Sequence, residues 1–237
     1  MNGLVVIPTY NERENLPPLL TGILAHPGVR VMVVDDNSPD GTGSVADQLA
    51  REWPGRIEVL HRTDRRGFGR SLLEGLSRAV RCDVDLVFQM DADLSHDPKY
   101  LSEMATAAQH ADLVVGSRYL RGVSVVNWPL RRIILSAFAN RYIRAVTRLS
   151  VRDCTSGYRC WRRDALARLP IDRIGSEGYS FLVEMLYLAH QAGCRIVESP
   201  IIFVERRQGV SKMSPKVIVE SALTPWRLRL RRASGYG

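Results

Sequence analysis

Five short apolar runs, at residues 4–7, 31–34, 57–60, 86–90 and 113–115, punctuate the first half of the chain, and all are too short for helices. They read as strands. Between them lie stretches with helical character at about 13–25, 43–53, 70–80 and 98–109, the last opened by Asp97 as N-cap and Pro98 in the first helical position. Strand alternating with helix implies an α/β fold with a mainly parallel central sheet flanked by helices, Rossmann-like in plan. In the second half, Leu130, Ile134, Phe138, Tyr142, Ala145 and Leu149 follow helical spacing over residues 128–149. A short segment at 156–161, a helix at 179–192 and a strand at 195–204 follow, and the tail from Pro215 onward reads as frayed. With 237 residues and no repeat or low-complexity linker, one sizeable core is expected.

Ligands of such sheets bind at the carboxyl ends of the strands, so the residues just after each run carry the functional signal. Here they are polar: Pro8-Thr9-Tyr10-Asn11-Glu12, Asp35-Asp36-Asn37-Ser38, Asp91-Ala92-Asp93 and Gly116-Ser117-Arg118. Strand alternation would direct Asp91 and Asp93 to one side, where hard oxygen ligands suit Mg²⁺ or Mn²⁺ shared with a diphosphate. An isolated D-x-D also fits a solvated loop; its place at a strand end favours the cation. A carboxylate at 35 or 36 could accept hydrogen bonds from a base or ribose, although the segment also fits a plain turn. Neither G-x-G-x-x-G after the first strand nor G-x-x-x-x-G-K-[ST] is present, which removes the main support for dinucleotide and P-loop readings.

The net charge of +8 is unevenly divided. Residues 1–118 hold 12 basic against 17 acidic residues, net −5, and residues 119–237 hold 21 against 8, net +13. A nucleic-acid binder would use such a basic half, but it would leave the acidic strand ends without a role, and no nucleic-acid module is recognisable. The longest uncharged stretch, 15–29, is broken by Pro17, Pro18, Gly22, Pro27 and Gly28, so no spanning helix is expected. The N-terminus lacks the pattern of a secretory signal, which points to a cytoplasmic chain. Cys82, Cys154, Cys160 and Cys194 have no metal-like or C-x-x-C spacing and read as free thiols.

The segments VIPTYNERENL, VVDDNSPDGT, QMDADLSHDP, VGSRY and SGYRC together resemble glycosyltransferase family 2, with the GT-A nucleotide-sugar fold, and most of all its dolichyl- or polyprenyl-phosphate mannose synthases. The resemblance runs from about residue 4 to 214. It implies a catalytic domain over 1–214, with a nucleotide- and metal-binding half (1–118), an acceptor half (119–214) and a basic tail (215–237). It further implies that Pro8, Tyr10, Glu12, Val34 and Asp36 hold the guanosine of GDP-mannose, and that Asp91 and Ala92 approach the nucleotide-sugar. Asp93 and Ser95 would help hold the metal, and Arg118, Arg206 and Lys212 would contact phosphates and sugar. The Q-x-x-R-W motif of processive relatives is missing, which disfavours a polysaccharide synthase.

A reaction of this kind moves mannose from GDP-mannose to a polyprenyl or dolichyl phosphate with inversion. A phosphate monoester, with a second pKa of about 6, already carries nucleophilic oxygen at neutral pH, so alignment and charge stabilisation matter more than a general base. Asp91, Asp93, Arg118 and Arg131 are the expected catalytic set, with Arg131 facing the acceptor phosphate and Arg132 as its alternate. The basic half would then gather two anionic reactants at the cytosolic face of a membrane, by peripheral contact or through a membrane-protein partner. The apolar stripe of 128–149 fits either a bilayer interface or packing on the sheet. Trp226, Leu228 and Leu230 offer a second lipid contact. A same-fold enzyme using UDP-glucose, or a soluble hydroxyl acceptor, is the alternative.

Overall fold

A computed structural model describes residues 1–64, 66–205 and 222–230. Its centre is a seven-stranded sheet built from β1 (Gly3–Thr9), β2 (Val29–Asp35), β3 (Ile57–His61), β4 (Leu86–Gln89), β5 (Leu113–Ser117), β7 (Arg159–Arg162) and β8 (Ile196–Pro200). The order is β3-β2-β1-β4-β7-β5-β8, and every pairing is parallel except those of β7 with β4 and β5. Two further short strands, β6 (Val125–Val126) and β9 (Phe203–Val204), pair in parallel as a separate ribbon. The helices are α1 (Leu16–Leu24), α2 (Thr42–Glu52), α3 (Phe68–Ala79), α4 (Leu101–Ala107), α5 (Leu130–Thr147), α6 (Arg163–Ala167), α7 (Gly178–Gln191) and a final α8 over 222–230.

Strand alternation splits the apolar residues into two cores, one on each face of the sheet. Leu4, Val6, Met32 and Val34 face one, with α3 and α7; Val5, Ile7, Val31 and Val33 face the other, with α1 and α4. Residues from both halves of the chain enter each core, and Leu228 of α8 is buried in the first. Gly75 of α3 fixes one close approach: a Cβ there would sit 2.5 Å from Val6 Cγ1 and 2.9 Å from Val34 Cγ2. Only glycine lets this helix lie so near β1 and β2.

The five expected strands and their intervening helices are present, with shifted ends. α1 begins at Leu16 rather than 13 because Pro17 and Pro18 fit only a first helical turn. Asp97 accepts from Lys99 N at 3.0 Å as expected of an N-cap, but the turn that it opens, Pro98–Tyr100, is 3₁₀ and leads into α4. The expected strand 195–204 is two: β8 stops at Pro200, which has no N–H to donate, and the chain crosses to β6. The segment at 156–161 contributes β7, inserted antiparallel between β4 and β5. Among the described residues no helix is long and apolar enough to cross a membrane.

Candidate active site

β4 ends at Gln89, two residues before Asp91, so strand alternation does not aim the two carboxylates of the D-x-D as the sequence pattern suggested. Loop hydrogen bonds do that instead. Asp91 N–H donates to His96 Nδ1 at 3.0 Å, Ser95 N–H and Oγ–H both donate to Asp93 Oδ1, and Leu94 turns the chain at φ 61°. Ala92, Asp93 and Ser95 are buried or nearly so, and the Asp91 side chain is 34% exposed. Gly157, on the loop before β7, lies behind it: a Cβ there would be 3.2 Å from Asp91 Oδ1.

His96 was not among the residues singled out by sequence, yet it organises this loop. It is 2% exposed, stacked on Tyr158 at 5.0 Å and edge-on to Phe203 at 5.5 Å. Burial lowers its pKa to about 4, with Arg118 pushing the same way and Asp93 and Asp153 opposing. The ring is therefore neutral near pH 7; with Nδ1 accepting, the proton sits on Nε2.

The carboxylates after β2 are turned inward. Asp35 accepts from Thr9 Oγ1 at 3.1 Å, Ser38 Oγ at 2.6 Å and Ser38 N at 3.1 Å. Asp36 forms an ion pair with buried Arg62 and accepts from Gly67 N at 2.7 Å. Val34 is fully buried in the core, so any donor contact there would be made by its main chain. Pro8 pairs with it across the sheet. On the loop after β1, Glu12 Oε2 accepts from Asn15 and its N–H donates to Thr42 Oγ1, while Tyr10 OH accepts from Arg66 Nη1 at 2.9 Å.

Arg118 is 7% exposed, and its charge is matched inside the protein. Nε and Nη2 donate to the two oxygens of Asp153 at 2.7 and 2.6 Å, and Nη2 also reaches Thr155 Oγ1 at 2.8 Å. The rings of Tyr119, Trp128 and Phe203 surround its guanidinium at 5.4–5.6 Å. His96, Phe203 and Trp128 form a row of ring contacts that ends at Arg132, which stacks on Trp128 at 4.0 Å and pairs with Glu205. The first turn of α5 is thus linked to the Asp91 loop through the rings of Phe203 and Trp128. Arg131 lies in that turn and is exposed.

The stripe of α5 packs on the core only at its C-terminal end, where Leu149 is buried and Tyr142 packs against the same cluster. Leu130, Ile134 and Phe138 are 71, 61 and 67% exposed, and only the C-terminal half buries residues: Asn140, Ile143, Val146 and Thr147. Leu223, Trp226 and Leu230 of α8 are also exposed, and Tyr142 OH donates to Ala222 O to hold the two helices together. Arg206 and Lys212 lie outside the described residues. The four cysteines are free, and burial raises the pKa of Cys154 and Cys160, which leaves them unreactive.

The mostly parallel sheet, with Asp91, Asp93 and Ser95 at its carboxyl edge, has the GT-A architecture of glycosyltransferases. The chain belongs to glycosyl transferase family 2, whose sequence model matches residues 4–169. It is 46% identical to a polyprenol monophosphomannose synthase of Mycolicibacterium smegmatis, over 98% of this chain and 90% of that protein. It is 44% identical to an undecaprenyl-phosphate mannosyltransferase of Micrococcus luteus, over 98% and 96%. In fold it is similar to glucosyl-3-phosphoglycerate synthase of Mycobacterium tuberculosis in complex with Mn²⁺, UDP and glucosyl-3-phosphoglycerate (TM-score 0.68, 17% identity, 98% of this chain and 80% of that one). A mannosyltransferase of Pyrobaculum calidifontis in complex with GDP-Man and Mn²⁺ matches with TM-score 0.57 and 20% identity, over 100% and 76%.

Proposed function

We propose that the protein transfers mannose from GDP-mannose to the phosphate of a polyprenol, with inversion, releasing GDP. The observation that carries this reading is the near full-length likeness, at 44–46% identity, to two proteins named for prenyl-phosphate mannose transfer. The geometry fits it. The Asp91 loop and the first turn of α5 are joined by the row of rings from His96 to Arg132, and in this reading a donor diphosphate at the first faces an acceptor phosphate at the second.

The donor set suits a divalent cation. Among the described residues no cluster of three or more His, Cys, Asp or Glu side chains could hold a metal alone. Asp93 and Ser95, with Asp91 nearby, supply hard oxygens for only part of a coordination shell, which is how Mg²⁺ or Mn²⁺ is held when substrate phosphates and water complete it. Bound there, the ion would neutralise charge on the departing diphosphate. The loops after β1 and β2 hold the nucleoside, Arg206 and Lys212 contact the donor phosphates, and Arg131 aligns the acceptor phosphate. An acceptor oxygen forms the bond to C1 of mannose as the C1–O bond to GDP breaks. No side chain has to remove a proton, because the phosphate is already ionised.

The exposed apolar faces of α5 and α8 are placed to rest on the bilayer that holds the polyprenol, with nearby arginines toward anionic headgroups. In this reading the protein is peripheral on the cytosolic face. The direct test is incubation with labelled GDP-mannose and a polyprenyl phosphate, with and without chelator. Label should enter an organic-soluble product only when the cation is present; transfer from UDP-glucose instead, or to soluble hydroxyl acceptors only, would overturn the reading.

A further inference from the structure

Three side chains with polar heads are fully buried where apolar ones would pack as well: Gln89 at the end of β4, and Arg159 and Trp161 of β7. Gln89 and Arg159 stand opposite each other in the antiparallel pair, so they share a face of the sheet with Trp161, two residues on. Gln89 Nε2–H donates to Gly157 O at 3.2 Å, and Arg159 donates to Ser156 O at 3.1 Å and to Cys154 O at 3.3 Å. Trp161 Nε1–H donates to Gln89 Oε1 at 3.1 Å, which sets the amide with its N–H toward Gly157. Burying such groups is costly, and Arg159 Nη1 has no hydrogen-bond partner among the described residues. What the network gains over an apolar core is a fixed place for residues 154–157.

That segment is the wall behind the D-x-D loop. A Cβ on Gly157 would have as its three nearest neighbours Asp91 Oδ1 at 3.2 Å, Asp91 Oδ2 at 3.4 Å and His96 Cε1 at 3.5 Å, all in that loop. The Asp91 carboxylate therefore lies against the α-carbon of Gly157. β4 has ended two residues earlier, so the strand itself does not hold residue 91. Gln89 acts on both sides of this contact. It is two residues from Asp91 along the chain, and its side chain holds Gly157.

We propose that Gln89 is a positioning residue for the transfer: by tying Gly157 to β4 it fixes the wall against which the Asp91 carboxylate stands, and so sets how the loop meets a divalent cation and a diphosphate. This rests on the transferase reading above and deepens it. Partners that orient a cation's ligands without touching the ion change its affinity by about 10- to 100-fold when removed.

The test is Mn²⁺ binding by the intact protein, followed by electron paramagnetic resonance with and without GDP, alongside kcat and the KM for a polyprenyl phosphate. Gly157→Ala is the most direct variant: the backbone there has no positive φ, so alanine fits it and meets only the Asp91 loop. It should weaken Mn²⁺ binding in the presence of GDP by about tenfold or more and lower kcat, with the KM for the lipid phosphate unchanged. Gln89→Met keeps the length, loses both hydrogen bonds and should act in the same way. Trp161→Phe leaves the bond from Gln89 to Gly157 in place; it should lower the midpoint in denaturant and change Mn²⁺ binding much less. Mn²⁺ binding that is unchanged in Gly157→Ala, or weakened no more in Gln89→Met than in Trp161→Phe, would overturn the assignment, since a network that only packs moves the midpoint and not the cation. If the wild type transfers nothing from GDP-mannose, the mannose reading falls while the Mn²⁺ comparison still decides the place of Gln89. A wild type that binds no Mn²⁺ with GDP would overturn both.

Discussion

The strand ends of the sheet and the outer face of α5 are built on opposite plans. At the strand ends the polar groups pair with one another: Asp35 with Thr9 and Ser38, Asp36 with Arg62, Asp93 with Ser95, Arg118 with Asp153. On α5 the first two turns leave Leu130, Ile134, Leu135 and Phe138 to solvent, with Arg131 unburied among them. A site for a compact, charged ligand gains from dipoles fixed in advance, since little has to reorganise when charge develops. A site for a long, apolar, membrane-held ligand gains from surface that remains to be covered.

Disrupting the self-paired side should have the largest effect. Asp153→Ala strands the buried Arg118 charge and should cost about 3–5 kcal/mol of stability, read as a lowered midpoint in denaturant; an unchanged midpoint would mean that Arg118 finds another anion. Asp93→Asn should reduce cation-dependent transfer by about 100-fold or more while the fold survives, and wild-type turnover would remove Asp93 from the metal site. His96 offers a finer cut. His96→Asn can place an oxygen where Nδ1 accepts from Asp91 N–H, and His96→Gln cannot, so turnover should fall by about tenfold in the second and much less in the first. Equal loss in both would assign the ring to packing alone.

The unfinished side should respond in the reverse sense. Replacing Ile134 and Phe138 by Gln should leave stability within about 0.5 kcal/mol, because among the described residues both stay mostly exposed, and should lower binding to vesicles of anionic lipid. Vesicle binding that survives both substitutions would place the membrane contact elsewhere. Arg131→Ala should raise the apparent KM for the lipid phosphate several-fold, in line with the loss of about 1 kcal/mol from one exposed charged contact, and leave GDP binding alone.

Much of the sheet was legible because β1, β2, β4 and β5 are short, mainly apolar runs with a polar cluster just after or at the carboxyl end. β7 was not. Its residues Arg159-Cys160-Trp161-Arg162 carry a fully buried arginine that donates to the carbonyls of Cys154, Ser156 and Leu182, and burial lowers its pKa to about 10. Charge inside a strand defeats a pattern read from apolar runs. The D-x-D was legible as chemistry but not as geometry, since its aim depends on His96, a lone histidine with no sequence signature. Arg118 shows a further limit: its pairing with Asp153 inside the protein leaves no mark in the sequence. The open face of α5 could not be separated from a packed one, because periodicity fixes which residues share a face and not what that face meets.

The antiparallel sense of β7 has a consequence for how such a chain diversifies. β5 leaves the sheet at Ser117, and β7 re-enters beside it from Gly157, with Gly116 N–H donating to Tyr158 O at 2.8 Å and Ser156 Oγ–H to Gly116 O at 2.5 Å. Everything between these points, α5 included, is an excursion that departs and returns at adjacent strands. Its stem is clamped by Arg118 and Asp153. Residues 118–158 therefore leave and rejoin the sheet at one point, yet Ile143, Leu149, Val151 and Tyr158 within them still pack into the two cores. The positions of the excursion that are open to exchange are its exposed ones, Leu130, Ile134 and Phe138 among them.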